Sequence, residues 1–365
     1  MASQRLIDLG EQGILSSIVF PSIARSVAGA GALGDDCAIV EVPAALAGTS
    51  LVATIDPCPQ PLVFELFEPD YWHFGWMTLV INLSDLASMG ADPVGILIST
   101  VMPNDMSADD YRRFWDGVVE ASDAWKCRVL GGNIKDGHRF SAEGAAFGWC
   151  TDQSVMRRTG SSDGNLVYVI GEMGMFWSAL LHKLRANDLP LTEEEQEQAH
   201  RALNCPTPRI KEGKALAASG LVTACMDASD GVLGALAELG RVNKLDVYLN
   251  ELEPSPLVHK VSSRLDISPL KLMLSWGDWQ LVATIREERQ HEFETLARSF
   301  NTPVTFIGRM KPGAGYVRSH ANDAAKQLSN LSSELSSERF TRTSYFTYGT
   351  AEFVDWFIKA PLFVD

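Results

Sequence analysis

The sequence contains no stretch of about 20 uninterrupted apolar residues, which is the length that a transmembrane helix needs. Its first residues, MASQRLIDLGEQG, also lack the apolar core of a secretory signal peptide. We therefore expect no membrane partner and a cytoplasmic location.

Paired cysteines and basic runs are also missing. The six cysteines are scattered along the chain and form no C-x-x-C pair, which argues against a zinc site and a disulfide framework. No dense run of lysine or arginine offsets the formal net charge of -15. Because the phosphate backbone of a nucleic acid selects basic faces, we do not expect nucleic acid as a partner.

The familiar nucleotide-binding loops are absent as well. The chain has no G-x-x-x-x-G-K-[ST] loop, no G-x-G-x-x-G after a strand and no protein-kinase catalytic-loop pattern. If ATP binds here, carboxylates and metal ions must do most of the work of holding it.

What is present predicts two α+β domains. A chain of 365 residues, 46% hydrophobic and 21% charged, is typical of a globular protein that is too long for one ordinary core. The polar, glycine-bearing stretch 151–165 separates two patterned halves, so the predicted domains are 1–152, with a mixed or antiparallel sheet, and 153–365. Residues 319–341 are serine-rich and fit an exposed helix or a mobile segment, whereas the aromatic tail that follows should be buried.

Local patterns place the main elements. Strands are predicted at 51–56 and 93–103, helices at 70–90, 107–125 and 191–203, and a strand running into a glycine turn at CRVLGGNIKDG. In the second half, LVYVIGE and WQLVATI are typical of strands, and TACMDASDGVLGALAEL of a strand, a turn and a helix. Ser107 should cap the helix that follows it.

The helix at 70–90 carries a carboxylate in its middle. At 3.6 residues per turn, one side collects an apolar stripe and the other a mixed flank; the stripe holds Trp76, Leu79, Val80, Leu83, Ala87 and Gly90, and the flank Thr78, Asn82, Asp85 and Met89. This flank either faces water or converges with other acidic groups on a ligand.

Four acidic spots lie at the ends of predicted elements: GDDCAIV (34–40), TID (54–56), Asp85 and MDASDG (226–231). An aspartate beside a glycine is usually a turn former or a helix cap. Four such spots together favour a site for magnesium, a hard cation that prefers carboxylate and water oxygens and often bridges them to nucleotide phosphates.

Seven motifs occur together in one order: GDDCA, TID, VINLSDLASMGADP, RVLGGN, RRTGSSDGNLVYVIG, CPTPRI and MDASDG. In this order and spacing the chain resembles thiamine-monophosphate kinases, which belong to the superfamily of aminoimidazole ribonucleotide synthetase. The resemblance implies a two-domain chain that forms a homodimer through its N-terminal domains. It also implies ATP and several magnesium ions in a cleft, and transfer of the γ-phosphoryl group to a small-molecule acceptor.

The same resemblance implies roles for individual residues. The implied metal ligands are Asp35, Asp36, Asp56, Asp85, Asp227 and Asp230, among which Asp35 and Asp230 are also candidate catalytic residues. Arg158 resembles a catalytic arginine near the phosphates. The remaining candidates for contact with the nucleotide are Asn82, Gly131, Gly132, Asn133 and Ser229.

Three departures bear on the acceptor. The G-G-D-T motif of the family is Gly131-Gly132-Asn133-Ile134 here, its G-G-E-D-Y-E-L is SWGDWQL, and Val63 stands where a histidine is expected. An amide at Asn133 brings no charge to a metal, so we expect an acceptor less anionic than thiamine monophosphate. Four interpretations stay open: a true thiamine-monophosphate kinase, a kinase with another acceptor, a synthetase that phosphorylates an amide or carboxylate oxygen before C–N bond formation, and a nucleotide sensor.

Overall fold

The computed structural model describes residues 38–40, 48–68, 70–319, 326–327 and 350–359. In the first half the elements follow in the order β1 (Ala38–Val40), β2 (Thr49–Cys58), α1 (Leu62–Leu66), α2 (Tyr71–Ser88), β3 (Asp92–Met102), α3 (Ala108–Trp125), β4 (Arg128–Asp136) and β5 (Ser141–Thr151).

The second half begins with β6 (Leu166–Ile170), α4 (Met175–Arg185), α5 (Glu193–Asn204), α6 (Ile210–Ser219), β7 (Val222–Asp227), α7 (Gly231–Asn243) and β8 (Leu245–Leu249). It continues with α8 (Pro256–Leu265), α9 (Pro269–Leu274), β9 (Leu281–Ile285), a 3-10 turn (Glu287–Arg289), α10 (Gln290–Ala297), β10 (Val304–Pro312), β11 (Val317–Ser319), β12 (Lys326–Gln327) and α11 (Thr350–Lys359).

Each half is built on a mixed sheet. The first has the strand order β1-β2-β5-β3-β4, with a parallel β3/β4 pair and antiparallel pairs elsewhere. The second has the order β12-β11-β8-β10-β6-β9-β7, with one parallel pair, β11/β8. The predicted two-domain α+β fold is therefore confirmed.

Helix α2 lies between the two sheets. It begins at Asp70, whose carboxylate accepts a hydrogen bond from the Trp72 N–H, and its side chains reach β2 on one side and β7 on another. The predicted stripe is buried at Leu79, Val80, Leu83 and Ala87. The opposite flank does not face water, because Thr78, Asn82 and Met89 are fully buried as well. A helix that packs against sheets on two sides buries polar positions as well as apolar ones.

Two apolar cores result from this layering. Val167 and Val169 of β6 contribute to a core under helices α4, α7, α8 and α9, whereas Leu166, Tyr168 and Ile170 contribute to the core shared with α2 and the first sheet. Strand β6 is buried on both faces for this reason, as its unbroken apolar sequence LVYVI indicates.

Most element predictions are confirmed, including the helices within 70–90, 107–125 and 191–203 and the Ser107 cap, whose hydroxyl accepts from the Asp110 N–H at 3.0 Å. The glycine turn in CRVLGGNIKDG is wrong, because β4 continues through both glycines. A Cβ on Gly132 would lie 1.7 Å from the Ile98 carbonyl oxygen, so close strand packing explains this glycine.

The end of the chain is described only in part. Burial of the aromatic tail is confirmed for Phe353 and Phe357, and the tail helix α11 contacts α1 of the first half. Most of the serine-rich segment 319–341 lies outside the described residues. No helix in the described ranges combines the length and apolar character needed to cross a membrane.

Candidate functional site

Asp56 and Asp85 approach each other where α2 crosses β2. The Thr54 hydroxyl donates a hydrogen bond of 2.5 Å to Asp85 Oδ2. Thr54 and Asp56 are two residues apart on one strand, so their side chains lie on the same face, about 6.8 Å apart along the strand. The structure therefore places these two predicted metal ligands, Asp56 and Asp85, on the same face of β2, where α2 packs against it.

Asn82 holds the main chain at Asp56. Its Oδ1 accepts from the Asp56 N–H at 3.2 Å, and its Nδ2 donates to the Asp56 carbonyl at 3.3 Å. A Cβ on Gly144 would lie 2.5 Å from Asn82 Nδ2, so a glycine on β5 leaves room for the amide. Asn82 is fully buried, and this geometry gives it a positioning role for Asp56.

Asp227 brings the second half of the chain to the same helix. The Ser84 hydroxyl, one residue before Asp85, donates 2.8 Å to Asp227 Oδ2, and the Ser229 hydroxyl donates 3.2 Å to Asp227 Oδ1. Asp227 is 2% exposed, so these hydroxyls satisfy a buried carboxylate. A hydrogen bond between side chains thus links the two halves beside Asp85.

Asp230 lies at the N-terminus of α7, three residues beyond Asp227. Ser229 and Asp230 are exposed, and the Asp230 side chain makes no capping hydrogen bond to the helix. The chain turns through Gly231 at φ 86°, a left-handed conformation that glycine adopts most readily. Asp230 therefore stands at the surface beside the buried Asp227, where a ligand can reach it.

The glycine motif on β4 is not brought to this group within one chain. Gly132 pairs with Ile98, Ile98 with Gly144, and Gly144 with Asp56, so three strand spacings separate β4 from β2. Asn133 pairs with Ser99, one residue further along β4 and β3 than the Gly132–Ile98 pair. Because side chains alternate between the faces of a sheet, Asn133 lies on the face away from α2.

Arg158 lies against α7. Its guanidinium Nη1 is 3.9 Å from Glu238 Oε1, and its carbonyl accepts from Asn243 Nδ2 at 2.9 Å. Glu238 is eight residues after Asp230, about 12 Å along the helix axis. Arg158 therefore lies against α7, the helix that begins next to Asp230.

Asp35 and Asp36 lie outside the described residues. Within the part of the chain that the structure describes, no three histidine, cysteine, aspartate or glutamate side chains are close enough to hold a metal ion. The donor atoms that are present, carboxylates with neighbouring hydroxyls, have the chemistry that Mg²⁺ prefers.

The SWGDWQL segment is hydrogen-bonded to the start of α4 and to Ala228, the residue after Asp227. Asp278 accepts hydrogen bonds from the N–H groups of Gly174 (2.7 Å), Met175 (3.1 Å) and Phe176 (2.6 Å) at the start of α4. Complete burial raises the pKa of Asp278 to about 7, although these three donors oppose the shift. The Gln280 carbonyl accepts from the Ala228 N–H at 2.9 Å and so fixes the loop that carries Asp227.

Sequence reasoning missed Thr54, Ser84 and Gly144. Thr54 is two residues before Asp56 in TID, and Ser84 precedes Asp85 in NLSDL. Strand and helix periodicity place hydroxyls next to the carboxylates in both motifs, and this signal was available in the sequence.

Known proteins resemble this chain in sequence and in fold. The thiamine-monophosphate kinase of Synechococcus elongatus is 29% identical over 257 residues, which cover 69% of this chain and 75% of that protein. The thiamine-monophosphate kinase of Pyrococcus abyssi is 28% identical over 291 residues, covering 78% and 85%. The structure of AaThiL complexed with AMPPCP and TMP aligns with a TM-score of 0.72 and 25% identity, covering 90% of this chain and 99% of that one.

The fold and these relatives define the chain as a thiamine-monophosphate kinase-like protein. The family model of the N-terminal domain of AIR synthase related proteins matches residues 34–150, and the model of their C-terminal domain matches residues 162–320. Together the two matches span most of the chain, which therefore belongs to the AIR synthase related protein family.

Proposed function

We propose that this chain is an ATP-dependent phosphotransferase that uses magnesium and passes the γ-phosphoryl group to a small-molecule acceptor. The observation that carries the proposal is the Ser84–Asp227 hydrogen bond, which joins both halves beside Asp85. The relatives named thiamine-monophosphate kinase support the reaction class. The proposed metal ligands are Asp35, Asp36, Asp56, Asp85, Asp227 and Asp230.

Magnesium, when bound, would neutralise the phosphate charges and align the attacking and leaving oxygens. The contribution of the chain is to hold the oxygen donors in place. Asn82 fixes the strand at Asp56, Thr54 orients Asp85, and the buried Asp227 is held by two hydroxyls. Asp230 is proposed to complete this side of the site, and Arg158 to bind the phosphates.

The departures from the family motifs bear on the charge of the acceptor. We propose that it is less anionic than thiamine monophosphate, because the motif resemblance implies a carboxylate where this chain has the Asn133 amide. Asn133 lies on the outer face of the first sheet, so it would act across the dimer contact proposed below. The test is an ADP-release screen of small phosphates, alcohols and amines with ATP and magnesium, followed by mass spectrometry of the acceptor.

Three outcomes of this screen separate the classes. A phosphorylated acceptor supports the kinase, and an acceptor that loses the phosphoryl group on forming a C–N bond supports a synthetase. ADP release that no acceptor stimulates supports a nucleotide sensor and contradicts the proposal.

We also propose that the chain forms a homodimer through the outer face of the first sheet. Ile55 and Leu97 flank Ala145 in register on this face and are 65% and 40% exposed. Trp149 and Leu130 add further exposed apolar surface on β5 and β4. A patch of this kind usually marks an interface. Sedimentation of wild type and Leu97→Lys tests it: a wild-type monomer contradicts the proposal.

A cytoplasmic location and a domain boundary between residues 152 and 153 also remain proposals from the sequence. Limited proteolysis that cuts within 151–165 and releases two stable fragments would support the boundary.

A further inference from the structure

A cavity of about 600 Å³ opens between α1, the start of α2 and the ends of α4 and α5. Its lining includes Val63, Phe64 and Phe67, with Glu68, Asp70, His73 and Lys183 as its charged or titratable groups. His73 is nine residues before Asn82 on α2, about 14 Å along the helix axis. The cavity therefore lies toward the opposite end of α2 from Asp85.

His73 presents a free acceptor at this cavity. The ring is 4% exposed, and its Nδ1 lies 2.9 Å from the carbonyl oxygen of Asn204. Because a carbonyl oxygen only accepts, Nδ1 must carry the proton. Burial lowers the pKa of His73, so the ring is neutral and Nε2 keeps its lone pair. Within the described ranges no side chain or main chain donates to Nε2, and because His73 lines the cavity this lone pair is available to a donor on a ligand.

An aromatic face in the cavity already holds a positive charge. The Lys183 ammonium lies 3.7 Å from the centroid of the Phe67 ring, a cation–π contact. Lys183 is exposed and makes no ion pair with a carboxylate in the described part of the chain, so it can move away at little cost. The exposed Glu68 carboxylate at the same cavity offers a counter-charge to any cation that replaces it.

We propose that this cavity binds a small organic cation with an N–H donor, which places its charge by Phe67 and Glu68 and donates to His73 Nε2. Val63 makes this region more apolar than the histidine of the family pattern would. The proposal concerns binding alone, so its test does not depend on whether the proposed phosphotransfer is correct.

Calorimetric titration of the full chain with benzylamine and with benzoate, without ATP or magnesium, tests the sign of the charge at constant ligand size. We expect one saturable site for benzylamine and none for benzoate. Glu68→Gln should weaken benzylamine binding about three- to tenfold, and Lys183→Ala should strengthen it, because the competing cation is gone. Glu194→Gln, an exposed glutamate on α5 outside the cavity lining, is the charge control and should change nothing.

His73 is tested by two replacements. Asparagine places its amide where Nδ1 lies and keeps the bond to the Asn204 carbonyl, whereas glutamine places an oxygen where Nε2 lies. We expect His73→Asn to weaken benzylamine and His73→Gln to retain more binding, with thermal melts confirming that both variants fold. Titration with thiamine then distinguishes two classes of ligand. If thiamine binds and the same variants weaken its binding, the ligand is thiamine-like; if benzylamine binds and thiamine does not, the ligand is another amine.

The proposal is overturned if benzylamine shows no saturable binding or if benzoate binds as well as benzylamine does. It is also overturned if Lys183→Ala weakens benzylamine binding or if Glu68→Gln and His73→Asn leave it unchanged.

Discussion

Ser84 donates a hydrogen bond of 2.8 Å to Asp227, across 143 residues of sequence and between the two halves of the chain. Ser84 precedes Asp85 on α2, and Asp227 ends β7. This bond fixes the distance between the helix that carries Asp85 and the segment that carries two other proposed metal ligands, Asp227 and Asp230.

We expect Ser84→Ala to lower the free energy of unfolding by about 1–3 kcal/mol, because the buried Asp227 carboxylate loses a donor. It should also raise the magnesium concentration that gives half-maximal turnover. Thr78→Val is the control, since the Thr78 hydroxyl donates to the Phe74 carbonyl on the same helix and to no other group among the described residues. A double-mutant cycle with Asp227→Asn measures the coupling, and additivity within about 0.5 kcal/mol would contradict a direct link.

Asp85→Asn and Asp230→Asn should each reduce ADP release by about 10²- to 10³-fold while the thermal midpoint stays near that of wild type. Each variant removes one charge from the proposed metal site, and the asparagine at 85 can still accept from Thr54. Asp92→Asn, which removes an exposed carboxylate paired with Lys214, serves as the control. A loss of stability that parallels the loss of activity would favour a purely structural role.

ATP should stabilise the fold only together with a divalent ion. The chain carries a net charge of -15, and phosphates beside unneutralised aspartates leave like charges uncompensated. With magnesium and ATP at about 100 times its Kd, stabilisation of about 2.7 kcal/mol is expected in thermal melts. Equal stabilisation in excess EDTA would refute the metal requirement.

Lys271 predicts a pH dependence. Its ammonium is buried and donates to the Phe357 and Ile358 carbonyls of the tail helix, and burial lowers its pKa from 10.5 to about 8. Between pH 8 and 10.5 the unfolded chain holds this proton and the folded chain does not, so stability rises with pH. Relative to Lys271→Met, wild type should gain on the order of 3 kcal/mol over this window in denaturant titrations. If the difference in free energy of unfolding between wild type and Lys271→Met does not change with pH, the carbonyls keep Lys271 charged in the folded chain.

The sequence predicted most elements because each is locally consistent: Ser107 caps α3, and the LVYVI run forms a strand buried on both faces. Periodicity gave the buried stripe on α2 but not the burial of Thr78, Asn82 and Met89 on the opposite flank, because α2 packs between two sheets. The resemblance in motif order implied that Asp56, Asp85 and Asp227 belong to one site, and this stays a prediction. The motifs gave no sign that Ser84 bonds to Asp227, since that contact depends on how the two halves dock.

The glycine motif shows a different limit. GG was interpreted as a turn because glycine is common in turns, but Gly132 is required by the approach of the Ile98 carbonyl in a parallel strand pair. A close approach of two backbones is a tertiary property, so local sequence does not reveal it. The same strand carries Asn133 to the outer face, away from Asp56.

Asn133 carries the last prediction, that wild type converts thiamine monophosphate about tenfold more slowly than a less anionic acceptor at the same magnesium concentration. An amide ligates magnesium without cancelling its charge, so an anionic acceptor is disfavoured first. Asn133→Asp adds the carboxylate at nearly constant size and should raise conversion of thiamine monophosphate as magnesium increases. Because Asn133 lies on the outer face, this effect would act across the proposed dimer contact, and sedimentation of the variant checks that the assembly is unchanged. Robust wild-type formation of the diphosphate at ordinary magnesium concentrations would refute the altered acceptor and return the chain to ordinary thiamine-monophosphate kinase chemistry.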